Sequence, residues 1–244
     1  MNDYSRMIED MSSIGVNLSS HQIEQFDKYF NLLVEWNKVM NLTGITEFDE
    51  VCKLHFVDSL MAAHYYDFNK EASLIDVGTG AGFPGIPLRI VFPDLQVTLL
   101  DSLNKRVKFL DTVIDELGLN NEGSRIITVH GRAEDYANSK SGSLREQFDI
   151  GVARAVANMS TLSEYILPYV RVGGDFIAYK SNKAAEEMKD AGNAIKKLGG
   201  KLVMQKDTIL PSSDIGRSII FIKKEKSCPK IYPRKAGLPS KQPL

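Results

Sequence analysis

Residues 74–88 read LIDVGTGAGFPGIPL, and this stretch decides the fold. Its first residues predict a short buried strand, with Asp76 near the strand's end. Glycines follow at 78, 80 and 82, where they permit positive φ angles and let a ligand approach the backbone. An apolar helix then continues to residue 92. A strand, a glycine turn and a helix N-terminus in this order predict a site for a nucleotide-type cofactor.

The residues around the turn favour one cofactor class. The dinucleotide fingerprint G-x-G-x-x-G requires a third glycine where this chain has Phe83, so the pattern is better written D-x-G-x-G-x-G. Asp76 ahead of the turn would repel a pyrophosphate and attract a cation. S-adenosylmethionine carries a sulfonium and an ammonium group and no phosphate. We therefore expect it to contact Asp76 and the glycines at 78, 80 and 82.

A second acidic residue supports this interpretation. Residues 96–100 predict the next strand, and Asp101 ends it. A carboxylate at that place binds ribose hydroxyls in either cofactor class, so Asp101 does not discriminate between them. Two acids at two successive strand ends nevertheless make a cofactor site a strong prediction.

Helices and strands alternate along the core, which predicts an α/β protein. The predicted strands are 73–77, 96–100, 125–130, 148–153, 175–180, 201–209 and 217–223. The predicted helices between them are 84–92, 103–118, 133–139, 159–170 and 184–198. The last two strands have no helix between them and should form an antiparallel hairpin. This order predicts the class I (Rossmann-like) methyltransferase fold, a mostly parallel seven-stranded sheet ending in that hairpin.

The residues before the core predict an N-terminal helical extension. Ser19 and Gln22 fit a capping box for a helix over 19–40, and a second helical stretch runs from about 46 to 66. We expect a helical cap over 1–70, the cofactor-binding core over 71–224 and a basic C-terminal tail over 225–244.

Composition limits the remaining possibilities. The chain has 244 residues, of which 43% are hydrophobic. Residues 1–10 carry acids and no apolar run, so we expect no signal peptide. It contains no apolar run of about 18 residues, so we expect no membrane partner. Cys52 and Cys228 are isolated and the histidines lack metal-ligand spacing, which favours a reduced cytoplasmic setting and no metal site. We expect a monomer.

Positive charge is concentrated in two places. The formal net charge is −1, yet residues 223–244 hold seven Lys or Arg and one acid. Such a tail is either a solvated chain end or an arm that binds nucleic acid, and the charge alone favours neither interpretation over the other. Lys105 and Arg106 open a predicted helix, where cations oppose the helix dipole. They indicate an anionic partner such as RNA phosphate, or they are simply solvated.

Further candidates follow the third and fourth strands. The backbone of Ala133 and Glu134 is placed to contact an adenine, although the segment also fits an ordinary strand exit. Arg154 should face the reaction centre, because ligands lie beyond the carboxyl ends of strands in such sheets. It would bind the methionine carboxylate, hold the substrate, or form a structural ion pair.

The fourth strand lacks the residues that activate a poor nucleophile. It has no Asn/Asp-Pro-Pro-Tyr segment for an exocyclic amine and no cysteine to attack a pyrimidine ring. The acceptor atom should therefore already be nucleophilic, as guanine N7 is. Catalysis would depend on proximity and alignment, with no obligatory general base. Arg154 and His55 are the candidates for positioning residues.

Together these segments resemble the RsmG (glucose-inhibited division protein B) family nearly end to end. The matching residues are Trp36-Asn37, Asn41-Leu42-Thr43, His55-Phe56-Val57-Asp58-Ser59-Leu60, Asp76 to Pro87, Leu99-Leu100-Asp101-Ser102 with Lys105-Arg106, Arg154-Ala155, and Tyr232-Pro233-Arg234-Lys235. The Phe83-Pro84-Gly85-Ile86-Pro87 segment is not general to methyltransferases and makes the resemblance specific.

The resemblance implies S-adenosylmethionine-dependent methylation of guanine N7 in 16S rRNA, at the position conventionally called 527. It implies cofactor contacts at Gly78, Phe83, Ala133, Glu134 and Arg154. The partner would be 16S rRNA or the 30S subunit. From their charge, we expect the RNA to be contacted by Lys105, Arg106, Lys230, Arg234 and Lys235.

Two alternatives stay open at this point. One is a methyltransferase of the same fold that acts on a small molecule or a protein. The other is a nicotinamide-binding oxidoreductase or a non-catalytic nucleotide-binding module, against which Asp76, Phe83 and the terminal hairpin argue.

Overall fold

The computed structural model describes residues 2–120, 123–154, 157–182 and 184–244. Ala155 of the Arg154-Ala155 motif lies outside the described residues. The seven strands are β1 (Ala72–Val77), β2 (Leu95–Asp101), β3 (Ile126–His130), β4 (Phe148–Arg154), β5 (Val170–Ser181), β6 (Gly200–Ile209) and β7 (Gly216–Lys224). The α-helices are α1 (Ser5–Ser13), α2 (Ser20–Met40), α3 (Phe48–Val51), α4 (Asp58–Leu60), α5 (Gly85–Val91), α6 (Asn104–Glu116), α7 (Ala133–Tyr136), α8 (Met159–Ile166), α9 (Ala184–Lys197) and α10 (Leu238–Lys241).

The strands form one sheet in the order β3-β2-β1-β4-β5-β7-β6. The first five strands are parallel, whereas β7 is antiparallel to both β5 and β6. This confirms the predicted fold class and the terminal hairpin. Because β7 runs against β5, its first residues lie at the carboxyl edge of the parallel strands, where a ligand binds in such sheets.

Helices cover both faces of the sheet. The helical cap, α5 and α6 pack on one face, in a core that includes Phe26, Leu33 and Phe109. On the other face α8, α9 and the C-terminal tail pack around Leu162, Ile195 and other apolar residues. The cap thus shares its core with the two helices that follow β1 and β2.

The capping box predicted for α2 is confirmed. The Ser19 hydroxyl accepts a hydrogen bond from the Gln22 backbone N–H, and the Gln22 side chain accepts one from the Ser19 N–H. Further along α2, Trp36 packs against the ring of Phe109 on α6, with ring centroids 5.7 Å apart. These contacts place the C-terminal end of α2 next to the start of α6.

The second helical stretch of the cap is not a uniform α-helix. A π-helical turn (Cys52–Val57) lies between α3 and α4, and a 3₁₀ turn (Met61–His64) follows. Such π turns frequently occur at functional sites because they change which side chains share a helix face. Here the turn carries His55 and is followed at once by Asp58.

No helix among the described residues is both long enough and apolar enough to span a bilayer.

Candidate active site

The glycine-rich turn after β1 forms one wall of a cleft. Gly78, Gly80 and Gly82 all have positive φ angles, of 72°, 63° and 99°. A Cβ atom added to Gly80 would meet nothing within 4 Å, so this glycine faces open space. Gly78 and Gly80 line the cleft, as predicted for residues that let a ligand approach the backbone.

Gly82 does not line the cleft, and its predicted contact with the cofactor stays a prediction. A Cβ atom on it would lie 2.6 Å from the Tyr29 hydroxyl and 2.5 Å from Ile86 Cδ1. The Tyr29 hydroxyl donates a hydrogen bond to the Ala81 carbonyl. The absence of a side chain at 82 therefore lets α2 approach the turn closely.

Asp76 lies beneath the turn instead of facing the cleft. Its Oδ2 accepts hydrogen bonds from Thr79 Oγ1 at 2.7 Å and from the Gly85 N–H at 2.9 Å. The carboxyl is fully buried, and burial raises its pKa to about 6. Asp76 therefore holds the conformation of the turn, and its direct contact with a cationic ligand stays a prediction.

Asp101 lines the cleft at the carboxyl end of β2. Its Oδ2 accepts a hydrogen bond from the Gly80 N–H at 3.0 Å, and its Oδ1 accepts one from the Leu103 N–H at 2.9 Å. Arg106 Nη1 lies 3.4 Å from Oδ2. The carboxylate is held in place and still faces the cleft, where ribose hydroxyls could donate to it.

The cations that open α6 already have partners within the protein. Arg106 lines the cleft next to Asp101. Lys105 Nζ donates to the Met40 carbonyl at the end of α2, at 3.0 Å. These two contacts offset the unfavourable interaction between the helix dipole and cations in the first turn of α6.

Arg154 ends β4 and is held by the cap. Its Nη1 donates to the Leu54 carbonyl at 2.7 Å and to Asp58 Oδ2 at 3.0 Å, and its Nη2 lies 3.1 Å from His55 Nδ1. Its guanidinium carbon also lies 5.0 Å from the centre of the Phe83 ring. Arg154 therefore lines the cleft and forms the structural ion pair considered from sequence, while its contact with the cofactor or the substrate stays a prediction.

His55 stacks on Phe83, with ring centroids 4.5 Å apart. Its Nε2 lies 2.8 Å from Thr43 Oγ1, so both ring nitrogens have polar neighbours. Burial, together with the nearby positive charge of Arg154, lowers the pKa of His55 to about 4. The ring is therefore neutral at pH 7 and has no free nitrogen with which to accept a proton.

Sequence reasoning missed part of the opposite wall. Asp58 Oδ1 accepts a hydrogen bond from Arg217 Nε at 2.8 Å, so this carboxylate lies between Arg154 and Arg217. Arg217 belongs to β7, and Tyr179 and Lys180 of β5 also line the cleft. The predicted hairpin contained a signal, since the start of an antiparallel strand next to β5 must lie at the ligand-binding edge.

The cleft has the size and chemistry for S-adenosylmethionine. Its volume is about 770 Å³, within the range of cofactor sites. The open space at Gly80 and the cleft-facing carboxylate of Asp101 fit a ribose, and Phe83 adds an apolar surface. No group of His, Cys, Asp or Glu side chains in the described part of the chain is arranged to hold a metal ion.

Ala133 and Glu134 lie outside the lining of this cleft. The Ala133 carbonyl accepts a hydrogen bond from the Tyr169 hydroxyl at 2.6 Å. Glu134 Oε1 accepts one from the Gly237 N–H at 2.7 Å. The Glu134 side chain therefore anchors the C-terminal tail, and any adenine contact here would have to come from the backbone, as the sequence interpretation specified.

The C-terminal tail packs against the core. Arg234 binds the buried carboxylate of Glu164 on α8, and Arg145 donates to the Tyr232 and Cys228 carbonyls. Lys230 and Lys235 remain exposed. Of the predicted RNA-binding cations in the tail, Arg234 is thus neutralised within the protein, while the two lysines face solvent.

Comparison with known proteins agrees with this geometry. A family model described as rRNA small subunit methyltransferase G matches residues 22–212. The Ribosomal RNA small subunit methyltransferase G of Lachnoclostridium phytofermentans is 51% identical over 244 residues, which cover 100% of this chain and 98% of the relative.

Solved structures share the fold at low sequence identity. A SAM-dependent methyltransferase from Aquifex aeolicus has a TM-score of 0.53 and 14% identity, over 75% of this chain and 96% of that one. M. jannaschii TYW2 in complex with AdoMet has a TM-score of 0.50 and 15% identity, over 64% and 70%. The methyltransferase fold is therefore confirmed, and with it the family that the sequence motifs indicated: the chain belongs to the rRNA small subunit methyltransferase G family.

Proposed function

We propose that the protein transfers a methyl group from S-adenosylmethionine to N7 of a guanine in 16S rRNA. The observation that carries the proposal is the two-walled cleft, formed in a chain that belongs to this family. One wall is the glycine turn with Asp101, which suits the cofactor. The other is the network of Asp58, Arg154 and Arg217, to which we assign the acceptor nucleotide.

Each wall has a distinct task in this proposal. Asp101 would accept hydrogen bonds from the ribose, with Gly78 and Gly80 leaving room for the ligand and Phe83 providing an apolar surface. Arg154 is held rigidly by Asp58 and the Leu54 carbonyl, so it offers a fixed positive charge at the reaction centre. A group held in this way aligns reactants without reorganising.

The cleft supports methylation without a general base. When bound, S-adenosylmethionine supplies a methyl group made electrophilic by the attached sulfonium. Guanine N7 has a lone pair in the neutral base, so no proton has to leave as it attacks. His55 is neutral with both nitrogens engaged, and Asp58 is bound by two arginines, so neither is free to act as a base.

The RNA would approach over a surface that carries exposed cations. Lys230 and Lys235 project from the tail, and Arg217 lines the cleft next to β5. We propose that the two tail lysines contact phosphates, rather than Arg217 and Arg234, which are ion-paired within the protein. The partner would be 16S rRNA, free or within the 30S subunit, and the protein would act as a monomer in the cytoplasm.

The test is transfer of a radiolabelled methyl group to bare 16S rRNA, to intact 30S subunits and to a protein control, followed by mapping of the modified base. We expect label in RNA only, as 7-methylguanine at one position. Label in protein, or at another atom of the base, would contradict the proposal. Comparison of the first two substrates identifies the form of RNA that is used.

The pH dependence is a second test. The rate of methyl transfer at saturating substrates should change little across neutral pH, whereas a dependence with a pKa near 7 would indicate an essential base.

A further inference from the structure

Thr43 occupies a fixed position at the edge of the cleft. It follows the C-terminal cap of α2, where Asn41 adopts a left-handed conformation with φ of 48°. The Asn37 side chain accepts a hydrogen bond from the Thr43 N–H at 2.9 Å. The Thr43 hydroxyl oxygen in turn accepts one from the Ile45 N–H at 3.0 Å. Backbone and side chain are thus both held, and the residue lines the cleft.

The neighbouring histidine determines the direction of the next hydrogen bond. His55 Nδ1 lies 3.1 Å from both Arg154 Nη2 and the Leu54 carbonyl oxygen. That carbonyl already accepts a hydrogen bond from Arg154 Nη1 at 2.7 Å, whereas Arg154 Nη2 can only donate, so we assign Nδ1 as its acceptor. In the neutral ring the proton is then on Nε2. This N–H points to the Thr43 hydroxyl oxygen at 2.8 Å and donates to it. Asp58 and the Leu54 carbonyl hold Arg154 in place. The hydrogen bonds from Arg154 to His55 and from His55 to Thr43 are therefore both donated in the same direction.

The Thr43 hydroxyl is left with a proton to donate. Its oxygen accepts from the Ile45 N–H and from His55 Nε2–H, which uses both lone pairs. Among the described residues, no acceptor lies within hydrogen-bonding distance of this hydroxyl other than the histidine nitrogen already assigned as a donor. The cleft therefore presents a hydroxyl that can donate to a ligand and cannot accept from it.

A hydroxyl of this kind distinguishes the two purines. Guanine and adenine both present N7 as a nucleophile, but the group next to N7 is the O6 acceptor in guanine and the N6 amino donor in adenine. We propose that Thr43 donates to O6 and thereby selects guanine as the acceptor base, an inference that rests on the function proposed above. An adenine in the same position would oppose its amino group to the hydroxyl proton and leave both unpaired.

The experiment replaces the target guanine by 2-aminopurine, which keeps N7 and lacks O6, in an otherwise identical RNA. For the wild type we expect kcat/KM to fall by about tenfold on the analogue, as for loss of one hydrogen bond in a desolvated site. Thr43→Val should lose a similar factor on guanine and no longer distinguish the two RNAs. Thr43→Ser, which keeps the hydroxyl, should retain the discrimination.

A matched control makes the same chemical change elsewhere. Thr112 lies on α6 and donates to the Lys108 carbonyl of its own helix. Thr112→Val should leave the discrimination between the two RNAs unchanged. Affinity for S-adenosylhomocysteine, measured by calorimetry, should be the same in Thr43→Val and the wild type. A weaker affinity would show that the hydroxyl serves the cofactor and would overturn the proposal.

The possible failures can be told apart. If the wild type does not methylate guanine N7 in either RNA form, the proposed function fails. If it methylates the guanine and 2-aminopurine RNAs equally well, only the role of Thr43 fails. Nitrogen-15 NMR of His55 in the wild-type protein is an independent test, since a proton on Nδ1 would remove the basis for a donor-only hydroxyl.

Discussion

Arg234 and Glu164 form a two-pronged ion pair in which the carboxylate has no exposed surface. Arg234 Nε lies 2.9 Å from Oε1 and Nη2 lies 2.6 Å from Oε2, and the Arg234 backbone N–H also donates to Oε1 at 2.8 Å. Glu164 lies on α8 and is fully buried. The basic tail is therefore joined to the core by a charge that cannot reach water.

Removing Arg234 should destabilise the fold. Arg234→Ala leaves the Glu164 carboxylate buried without its partner, which costs about 3–5 kcal/mol of the free energy of unfolding. Lys235→Ala, a neighbouring exposed site, should change it by less than about 0.5 kcal/mol. Urea denaturation compares the two. Equal stability of the variants would mean that the ion pair adds nothing to the stability of the fold.

Deletion of residues 226–244 removes the Arg234–Glu164 ion pair and also the Gly237–Glu134 contact, so we expect an unstable protein.

RNA affinity should depend on the two exposed tail lysines. Lys230→Gln combined with Lys235→Gln should weaken RNA binding and reduce the slope of log K against log salt by less than about 0.7–0.9 per lysine. Lys70→Gln combined with Lys201→Gln removes the same charge from exposed sites that are not among the predicted RNA-binding cations, and should leave the slope unchanged. Equal slopes for all three proteins would place RNA contact elsewhere, on the cap or the strand-end loops.

Acid should reduce the stability of the protein through His55. Its pKa is about 4 in the folded chain and about 6.5 in the unfolded chain, so the unfolded state binds more protons between these values. The stabilisation is therefore complete above pH 6.5 and is lost as the pH falls towards 4, by at most about 3 kcal/mol. Asp76 opposes this trend in the same interval, because its raised pKa makes the folded state bind more protons.

The contribution of His55 is isolated by comparing variants. The difference in free energy of unfolding between the wild type and His55→Gln should grow as the pH rises from 4 to 6.5 and then stay constant. A difference that stays constant over this pH range would show that the ring of His55 is not held neutral.

Asp101→Ala should weaken cofactor binding. The carboxylate accepts charge-assisted hydrogen bonds worth about 1.5–3 kcal/mol each, so S-adenosylhomocysteine affinity should fall at least about tenfold. The substitution also removes the Gly80 contact that shapes the turn. Asp111→Ala, on the exposed side of α6, is the control and should bind normally. Calorimetry measures both; NAD binding that depended on Asp101 would contradict the methyltransferase assignment.

Two glycines of the turn should respond differently to alanine. Gly82→Ala places a methyl group against the Tyr29 hydroxyl and Ile86, which should destabilise the protein by about 1–3 kcal/mol. Gly80→Ala meets no atom and costs only the strain of a positive φ, but its methyl group enters the cleft. We therefore expect a lower melting temperature mainly for Gly82→Ala and weaker cofactor affinity mainly for Gly80→Ala. The reverse pattern would contradict the assigned roles.

Most of the sheet could be predicted from sequence because each strand is a short apolar run bounded by turns. The exception is β5, which begins at Val170 and not at 175 as predicted. Gly173, with φ of 86°, lies in an irregular stretch where the pairing shifts between Phe148 and Ile150, so it interrupts the pattern without ending the strand. Helix α1 was not predicted, although its signal is present, because Tyr4, Met7, Met11 and Ile14 have helical spacing and are all buried.

The cofactor wall was predictable and the opposite wall was not. Glycines and acids at strand ends are local signals, whereas Asp58 and Arg217 meet only because the cap folds over the start of β7. The π turn before Asp58 also changes the helical spacing. A period of 3.6 residues therefore could not predict which side chains share a helix face with Asp58. The anchoring of the tail depends on Glu164, some 70 residues away in the chain.

The contact between Trp36 and Phe109 gives the protein a built-in optical probe. Trp36 is the sole tryptophan of the chain, and it lies where α2 rests on α6, a few residues before the segment that bears Thr43. Its emission spectrum therefore reports on the packing of α2 against α6, without any added label. Titration of ligands against this signal would show whether the helical cap moves relative to α6 when the substrates bind.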